Sequence, residues 1–141
     1  MQYVIDASVV VKWFLPEPYS DKADILLKTF RVQRLELTAP DLIVPEVGNA
    51  LWKRSTLTEE LSASQAEQSY RYFLELQIPL QSSSALAEEA LKLAAQERHP
   101  IYDALYIALA ARRGCQLITA DEKLMNKLGS KFPLVRWLGD T

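Results

Sequence analysis

Apolar and polar residues fall along this chain in short blocks whose spacing switches between the two-residue repeat of a strand and the 3.6-residue repeat of a helix. Tyr3-Val4-Ile5 is a brief apolar run ending at Asp6, which predicts a buried strand followed by a turn. Val9-Val10-Val11 has strand propensity, yet Ser8 is placed to cap a helix running into Lys12-Trp13-Phe14 and stopped by Pro16 and Pro18; the helix is the favoured reading. Ala23, Ile25, Leu26 and Leu27 suit a helix over Asp21–Thr29, and Leu35–Ala39 offers a second strand. Asp41–Arg54 reads as helical through Val44, Val47 and Leu51, with Pro45 confined to the first turn, where its missing N–H has no partner to lose. Ser64–Leu76 and Ala85–Arg98 read as helices around a Gln77–Gln81 segment that Pro79 restricts to a sheet edge.

Tyr102–Arg113 differs from these helices. Tyr102, Leu105, Tyr106 and Leu109 fill one face, and Ala104, Ile107, Ala108 and Ala110 fill most of the rest, so the helix is expected to be largely buried and to end at Gly114. Cys115–Thr119 then reads as a buried strand, Asp121 opens a short helix through Leu128, and Leu134–Leu138 is the last strand. No linker, repeat or low-complexity tract interrupts the series. The alternation predicts one α/β domain over residues 1–141, its mainly parallel sheet covered by helices on both faces.

Composition narrows the chemistry. With 49% hydrophobic residues in 141, the chain can bury a substantial core. Sixteen Lys and Arg against eighteen Asp and Glu give a net charge of −2, so no general basic field attracts a polyanion. Nucleic-acid binding would have to rest on local pairs such as Lys53-Arg54, Arg112-Arg113, or Lys123 with Lys127, which otherwise serve helix ends and solubility. One cysteine, Cys115, and one histidine, His99, exclude an internal disulfide and a Cys/His zinc site. The apolar start, Tyr3 to Leu15, carries Asp6 and Lys12, lacks a basic leader and is too short to span a bilayer, so a cytoplasmic protein without a membrane partner is expected.

The informative polar residues are four acids. In parallel sheets ligands bind beyond the carboxyl ends of the strands. Asp6 follows the first strand immediately, and Asp121 lies two residues beyond Thr119 at the end of a later one; Glu46 and Asp103 each fall in the first turn of a helix. Each position is also a natural one for a helix cap or for an acid facing the helix dipole. If the four converge, their repulsion favours a hard, oxygen-preferring divalent cation between them. Spacing alone leaves both readings open, because the acids belong to separate elements.

Four segments resemble, in order, the acidic motifs of PIN-domain proteins, especially the VapC-type toxins. They are Val4-Ile5-Asp6-Ala7-Ser8, Pro45-Glu46-Val47 running on to Asn49-Ala50-Leu51, Tyr102-Asp103-Ala104-Leu105-Tyr106, and Leu117-Ile118-Thr119-Ala120-Asp121. The resemblance spans almost the whole chain and implies a PIN-like fold and an endoribonuclease. In it Asp6, Glu46, Asp103 and Asp121 hold one or two Mg²⁺ or Mn²⁺ ions, and water attacks an RNA phosphodiester. Carried over by motif, Asp6 and Asp103 are direct metal ligands, Asp121 is a further one, and Glu46 either binds metal or orients the water. Ser8 and Thr119 are supporting hydrogen-bond groups, and Asn49, three residues from Glu46 on one helical face, is another.

The resemblance also implies a cognate antitoxin covering a groove, and homodimers. The exposed part of an aromatic set, Trp13, Phe14, Trp52, Tyr70, Tyr72 and Phe73, is a surface for either partner, although aromatic residues at helical spacing ordinarily pack together. Three rivals differ in a readable way. A phosphoacceptor receiver domain places an acidic pair after its first strand, which Asp6-Ala7-Ser8 lacks. A catalytically inactive PIN-like binding module would have lost one or more acids, and all four are present. A structural or interaction protein would use the acids as separate caps and bind no shared cation.

Overall fold

The computed structural model describes residues 1–141. The elements run β1 (Gln2–Ile5), α1 (Ala7–Val11), α2 (Ser20–Arg31), β2 (Glu36–Pro40), α3 (Ile43–Trp52), a π-helical turn (Lys53–Leu57) and α4 (Ala63–Glu75). They continue with β3 (Leu80–Gln81), α5 (Ser83–Glu97), α6 (Ile101–Arg113), β4 (Gln116–Thr119), α7 (Glu122–Leu128), β5 (Val135–Trp137) and a closing 3₁₀ turn (Leu138–Asp140). All five strands pair in parallel in the order β3-β2-β1-β4-β5.

Both faces of the sheet are covered. Successive strand residues point to opposite faces, yet Val4 and Ile5 of β1, and Leu117 and Ile118 of β4, are all fully buried. α6 lies across β1, β2 and β4 and packs on α5, while α1 packs on α3 and reaches β4. The α6 run from Ala104 to Ala110 is buried without interruption, as its all-round apolar sequence requires. Gly114 ends it in the left-handed conformation, φ +63°, donating its N–H to the Ala111 carbonyl. β3 is the two-residue edge strand that Pro79 permits, with Thr38 Oγ1 donating to the Pro79 carbonyl at 2.9 Å.

Three local expectations are corrected. The first helix begins at Ala7, and its N-cap is Asp6, whose side chain accepts the Ser8 N–H; Ser8 therefore lies inside the helix rather than capping it. α1 keeps its strand-prone valines helical because Val9, Val10 and Val11 are all buried there, so tertiary packing overrides propensity. The third helix stops being α-helical at Trp52, giving way to the π turn over Lys53–Leu57. Tyr102 is 57% exposed and does not join the buried face of α6.

Leu109 is fully buried in the core. Leu109→Ala should cost about 2–5 kcal/mol of unfolding free energy, read by urea denaturation, because the rigid surroundings of α6 refill such a void only in part.

Candidate functional site

The strand order reverses direction between β1 and β4: the chain moves outward through β2 and β3 on one side and through β5 on the other. A crevice opens at the carboxyl ends of the strands at such a switch point. Register Ile5↔Ile118 puts the next residues of the two strands, Asp6 and Thr119, side by side at that edge.

Asp6 is 8% exposed, and its two carboxylate oxygens are taken up by hydroxyls from two elements. Ser8 Oγ donates to Oδ1 and Thr119 Oγ1 donates to Oδ2 at 2.5 Å. Each hydroxyl is fixed in turn by a backbone N–H of the β4–α7 turn: Ala120 donates to Ser8 Oγ at 2.9 Å and Asp121 to Thr119 Oγ1 at 3.1 Å. Burial raises the Asp6 carboxyl to about 6; the two hydroxyl bonds pull the other way, and the charges of Asp103 and Asp121 push it up again. Asp6 therefore lies within electrostatic reach of both.

The other acids arrive from three helices. Asp121 is the N-cap of α7, its Oδ1 accepting the N–H groups of Lys123 and Leu124. Glu46 projects from the first turn of α3 and accepts the hydroxyl hydrogen of Tyr106 at 2.5 Å. Burial raises its pKa, the Tyr106 bond lowers it, and Asp103 raises it further. Asp103, in the first turn of α6, lies 2.6 Å from Nε2 of His99. That imidazole is buried, and its Nδ1 has no hydrogen-bond partner. Tyr106 is 2% exposed, and burial together with the Glu46 charge raises its phenol, keeping it neutral and able to donate.

Asp6 is thus linked through the Thr119 hydroxyl to the backbone of Asp121, and Glu46 is linked to Tyr106, one turn along α6 from Asp103, while Asp6 and Asp121 also serve as helix caps. Capping and convergence coexist. Glu46, Asp103 and Asp121 each use a single oxygen in these hydrogen bonds. No three of the acids stand around a common point as they are. The donors are nonetheless all carboxylate oxygens, which suit a hard divalent cation rather than a soft one.

Beside the acids runs an open cleft of about 470 Å³. Ser8, Glu46, Asn49 and Asp121 line it together with Lys12, Lys53, Arg54 and Glu17; Asp6 and Asp103 are not among the lining residues. Of the basic pairs picked out in the sequence, only Lys53-Arg54 reaches this cleft. Arg112 instead pairs with Glu89, and Lys127 holds the Arg98 carbonyl. Sequence reasoning missed Tyr106, His99 and Lys12. Tyr106 sits three residues after Asp103 on α6, the spacing that puts side chains on one helical face, and this was the available signal; His99 precedes the helix and carried none.

Comparison with known proteins agrees with this architecture. A family model described as "PIN domain" matches residues 3–129. The chain is 33% identical over 130 residues to "Ribonuclease VapC3" of Pyrobaculum aerophilum, covering 90% of this chain and 95% of that protein. It is 37% identical over 91 residues to "Ribonuclease VapC1" of Mycobacterium tuberculosis, covering 61% of this chain and 63% of that one. The crystal structure of PAE2754 from Pyrobaculum aerophilum superposes with a TM-score of 0.68 over 99% of this chain and 94% of that one; at 23% identity it shares the fold.

The Asp6 carboxyl shifts from 3.8 to about 6 on folding, so between those values the folded chain keeps a proton that the unfolded chain has lost. Stability from this group is therefore complete below the lower value and falls as pH rises toward the upper one, by on the order of 3 kcal/mol in all. In metal-free protein, the unfolding free energy of Asp6→Asn minus that of the parent should grow across this window and level off above it. A flat difference would mean that Asp6 is solvated or otherwise compensated.

Proposed function

The chain belongs to the PIN-domain family, and from that premise we propose that it is a metal-dependent endoribonuclease, the toxin of a toxin–antitoxin pair. The observation that carries the reading is the buried Asp6 carboxylate at the β1–β4 switch point, held by the Ser8 and Thr119 hydroxyls and tied through them to the turn that carries Asp121. The names of the ribonuclease relatives support the substrate class. The strand order argues against a receiver domain, whose order is 2-1-3-4-5.

Asp6, Asp103 and Asp121 would hold Mg²⁺ or Mn²⁺. A bound divalent ion supplies a more acidic water and neutralises charge that develops on phosphoryl oxygens. The chain's own groups have distinct tasks around it. Ser8 and Thr119 lock both Asp6 oxygens in direction, so the carboxylate is oriented before any ligand arrives. Tyr106 anchors one Glu46 oxygen and leaves the other for a ligand or a proton of the attacking water. His99 does the same for Asp103. Asn49 lines the cleft with Glu46 and is a hydrogen-bond donor toward substrate.

The proposed partners are RNA, a cognate antitoxin and a second copy of the chain. Of the six residues in the aromatic set, Trp52 is the exposed one, at 48%. It lies on a shallow groove with Leu51, Ala63, Ala66 and Tyr70, which supports a protein-binding role for that face. No helix is long and apolar enough to cross a membrane.

Partner-free protein should cut end-labelled structured RNAs with Mg²⁺ or Mn²⁺ and stop with chelator. Asp6→Asn and Asp103→Asn should each lose at least about a hundredfold in rate while remaining folded. Mn²⁺ should raise the melting temperature of the parent and not of Asp103→Asn. Cutting that survives both substitutions assigns the activity elsewhere. Absence of both cutting and ion binding favours the inactive binding module.

A further inference from the structure

The cleft holds a charge arrangement that the acidic centre does not use. Lys12, the C-cap of α1, is drawn inward, its side chain only 11% exposed. Its Nζ donates to Glu17 Oε1 at 3.1 Å, and Arg54 Nη1 donates to the other oxygen of the same carboxylate at 2.8 Å. Burial works to raise the Glu17 pKa, but the hydrogen bonds and charges of Arg54 and Lys12 outweigh it and hold the carboxyl below its usual range. One anion is thus clamped between two cations at the cleft wall. Lys53 adds a third positive charge to that wall.

The arginine stands at the start of an irregularity of the chain. After Trp52 the helix widens into a π turn, closed by the Thr58 N–H on the Lys53 carbonyl at 3.1 Å. Arg54 spends only Nη1 on protein, on Glu17 and on Glu60 at 3.1 Å. Its Nε and Nη2 have no protein partner, and neither is a buried, unsatisfied atom, so both open to solvent. That free edge of the guanidinium is the one that grips a phosphate with two parallel hydrogen bonds.

We propose that Lys12 and Arg54, clamped together by Glu17 in the cleft that Glu46 and Asp121 also line, form a phosphate subsite that holds an RNA backbone phosphate flanking the one to be cut. The subsite rests on the ribonuclease reading and adds to it the groups that position the strand. It answers the difficulty raised by an acidic centre in a chain of charge −2, which would otherwise repel its substrate. Because it reads only phosphate, it contributes affinity without base preference. Glu17 is a positioning residue: it sets the spacing of the two cations and touches no substrate.

The test measures binding of a fluorescein-labelled single-stranded RNA by anisotropy over a range of KCl concentrations, in an Asp103→Asn background with Mg²⁺ present. The same changes in otherwise unaltered protein are read as kcat and KM. Lys12→Met and Arg54→Met should each weaken binding about tenfold and lower the salt slope by about 0.7. KM should rise in step while kcat changes little, and Arg54→Lys should recover part of the affinity. Glu17→Gln separates this from a purely structural ion cluster: it breaks the clamp but frees both cations, so binding at low salt should hold or tighten, whereas a structural role predicts loss in all three variants with a lowered melting temperature. Unchanged affinity and slope in Lys12→Met and Arg54→Met, with a parent that binds and cuts, overturns the subsite and leaves the ribonuclease reading standing. A folded parent that neither binds nor cuts RNA overturns both.

Discussion

A carboxylate buried at the meeting point of two parallel strands constrains much of this molecule. Asp6 cannot be hydrated at 8% exposure, so its stability depends on the Ser8 and Thr119 hydroxyls, and those hydroxyls depend on the Ala120 and Asp121 N–H groups. The chain of bonds runs from the exit of β1 to the exit of β4 and back. It is satisfied only with Ile5 opposite Ile118, because a one-residue slip would turn an apolar side chain into the polar clasp and Asp6 into the core. Strand register, the start of α1 and the turn into α7 are therefore set by the same few hydrogen bonds that orient the site's most buried acid. Compensation is incomplete, as the raised carboxyl shows. The residual cost is retained at the site, where an added positive charge would remove it.

The fold was legible because its signals are redundant. The apolar Ala104–Ala110 run, the glycine that ends its helix and the proline before the short third strand each favour one arrangement. The departures have a common cause in tertiary packing. Three consecutive valines prefer a strand, yet burial on α3 and β4 holds them in α1. The π turn after Trp52 leaves no mark in Lys53–Leu57, since nothing in that sequence forbids a further α-helical turn; its bonds are settled by what Arg54 and Thr58 meet. Tyr102 counts as apolar in a helical pattern, but it stands on the first turn of α6, beyond the cover of the sheet.

The site was legible only in part, and the division is instructive. Strand ends are recognisable in sequence, so Asp6 and Asp121 could be placed at the sheet's carboxyl edge from their neighbours. Glu46 and Asp103 come from helices whose approach depends on long-range packing, and no local pattern reveals that Tyr106 will bridge from α6 to α3. The cap reading and the ligand reading look like alternatives in sequence and are compatible in the fold. A capping aspartate uses one oxygen on the helix N–H groups and keeps the second, as Asp121 does. A helix N-terminus is then a means of presenting a carboxylate rather than an explanation that competes with its use.

The placement of the cations is the other half of that design. Lys12, Lys53 and Arg54 line the same cleft as Glu46 and Asp121, and the cheapest arrangement electrostatically would pair them across it. The chain instead gives Lys12 and Arg54 a dedicated carboxylate, Glu17, and leaves Glu46, Asp103 and Asp121 with a phenol, an imidazole and backbone N–H groups. Neither Lys12 nor Arg54 forms an ion pair with any of the four acids. Cross-pairing would have neutralised both sets of charges and produced an ordinary surface salt bridge worth little to stability. Keeping these groups unpaired with one another preserves a set of acids and a set of cations that the proposed metal ion and phosphate would complement. A strand that carries one phosphate over each is the ligand such a cleft complements, and it supplies the missing partner to both.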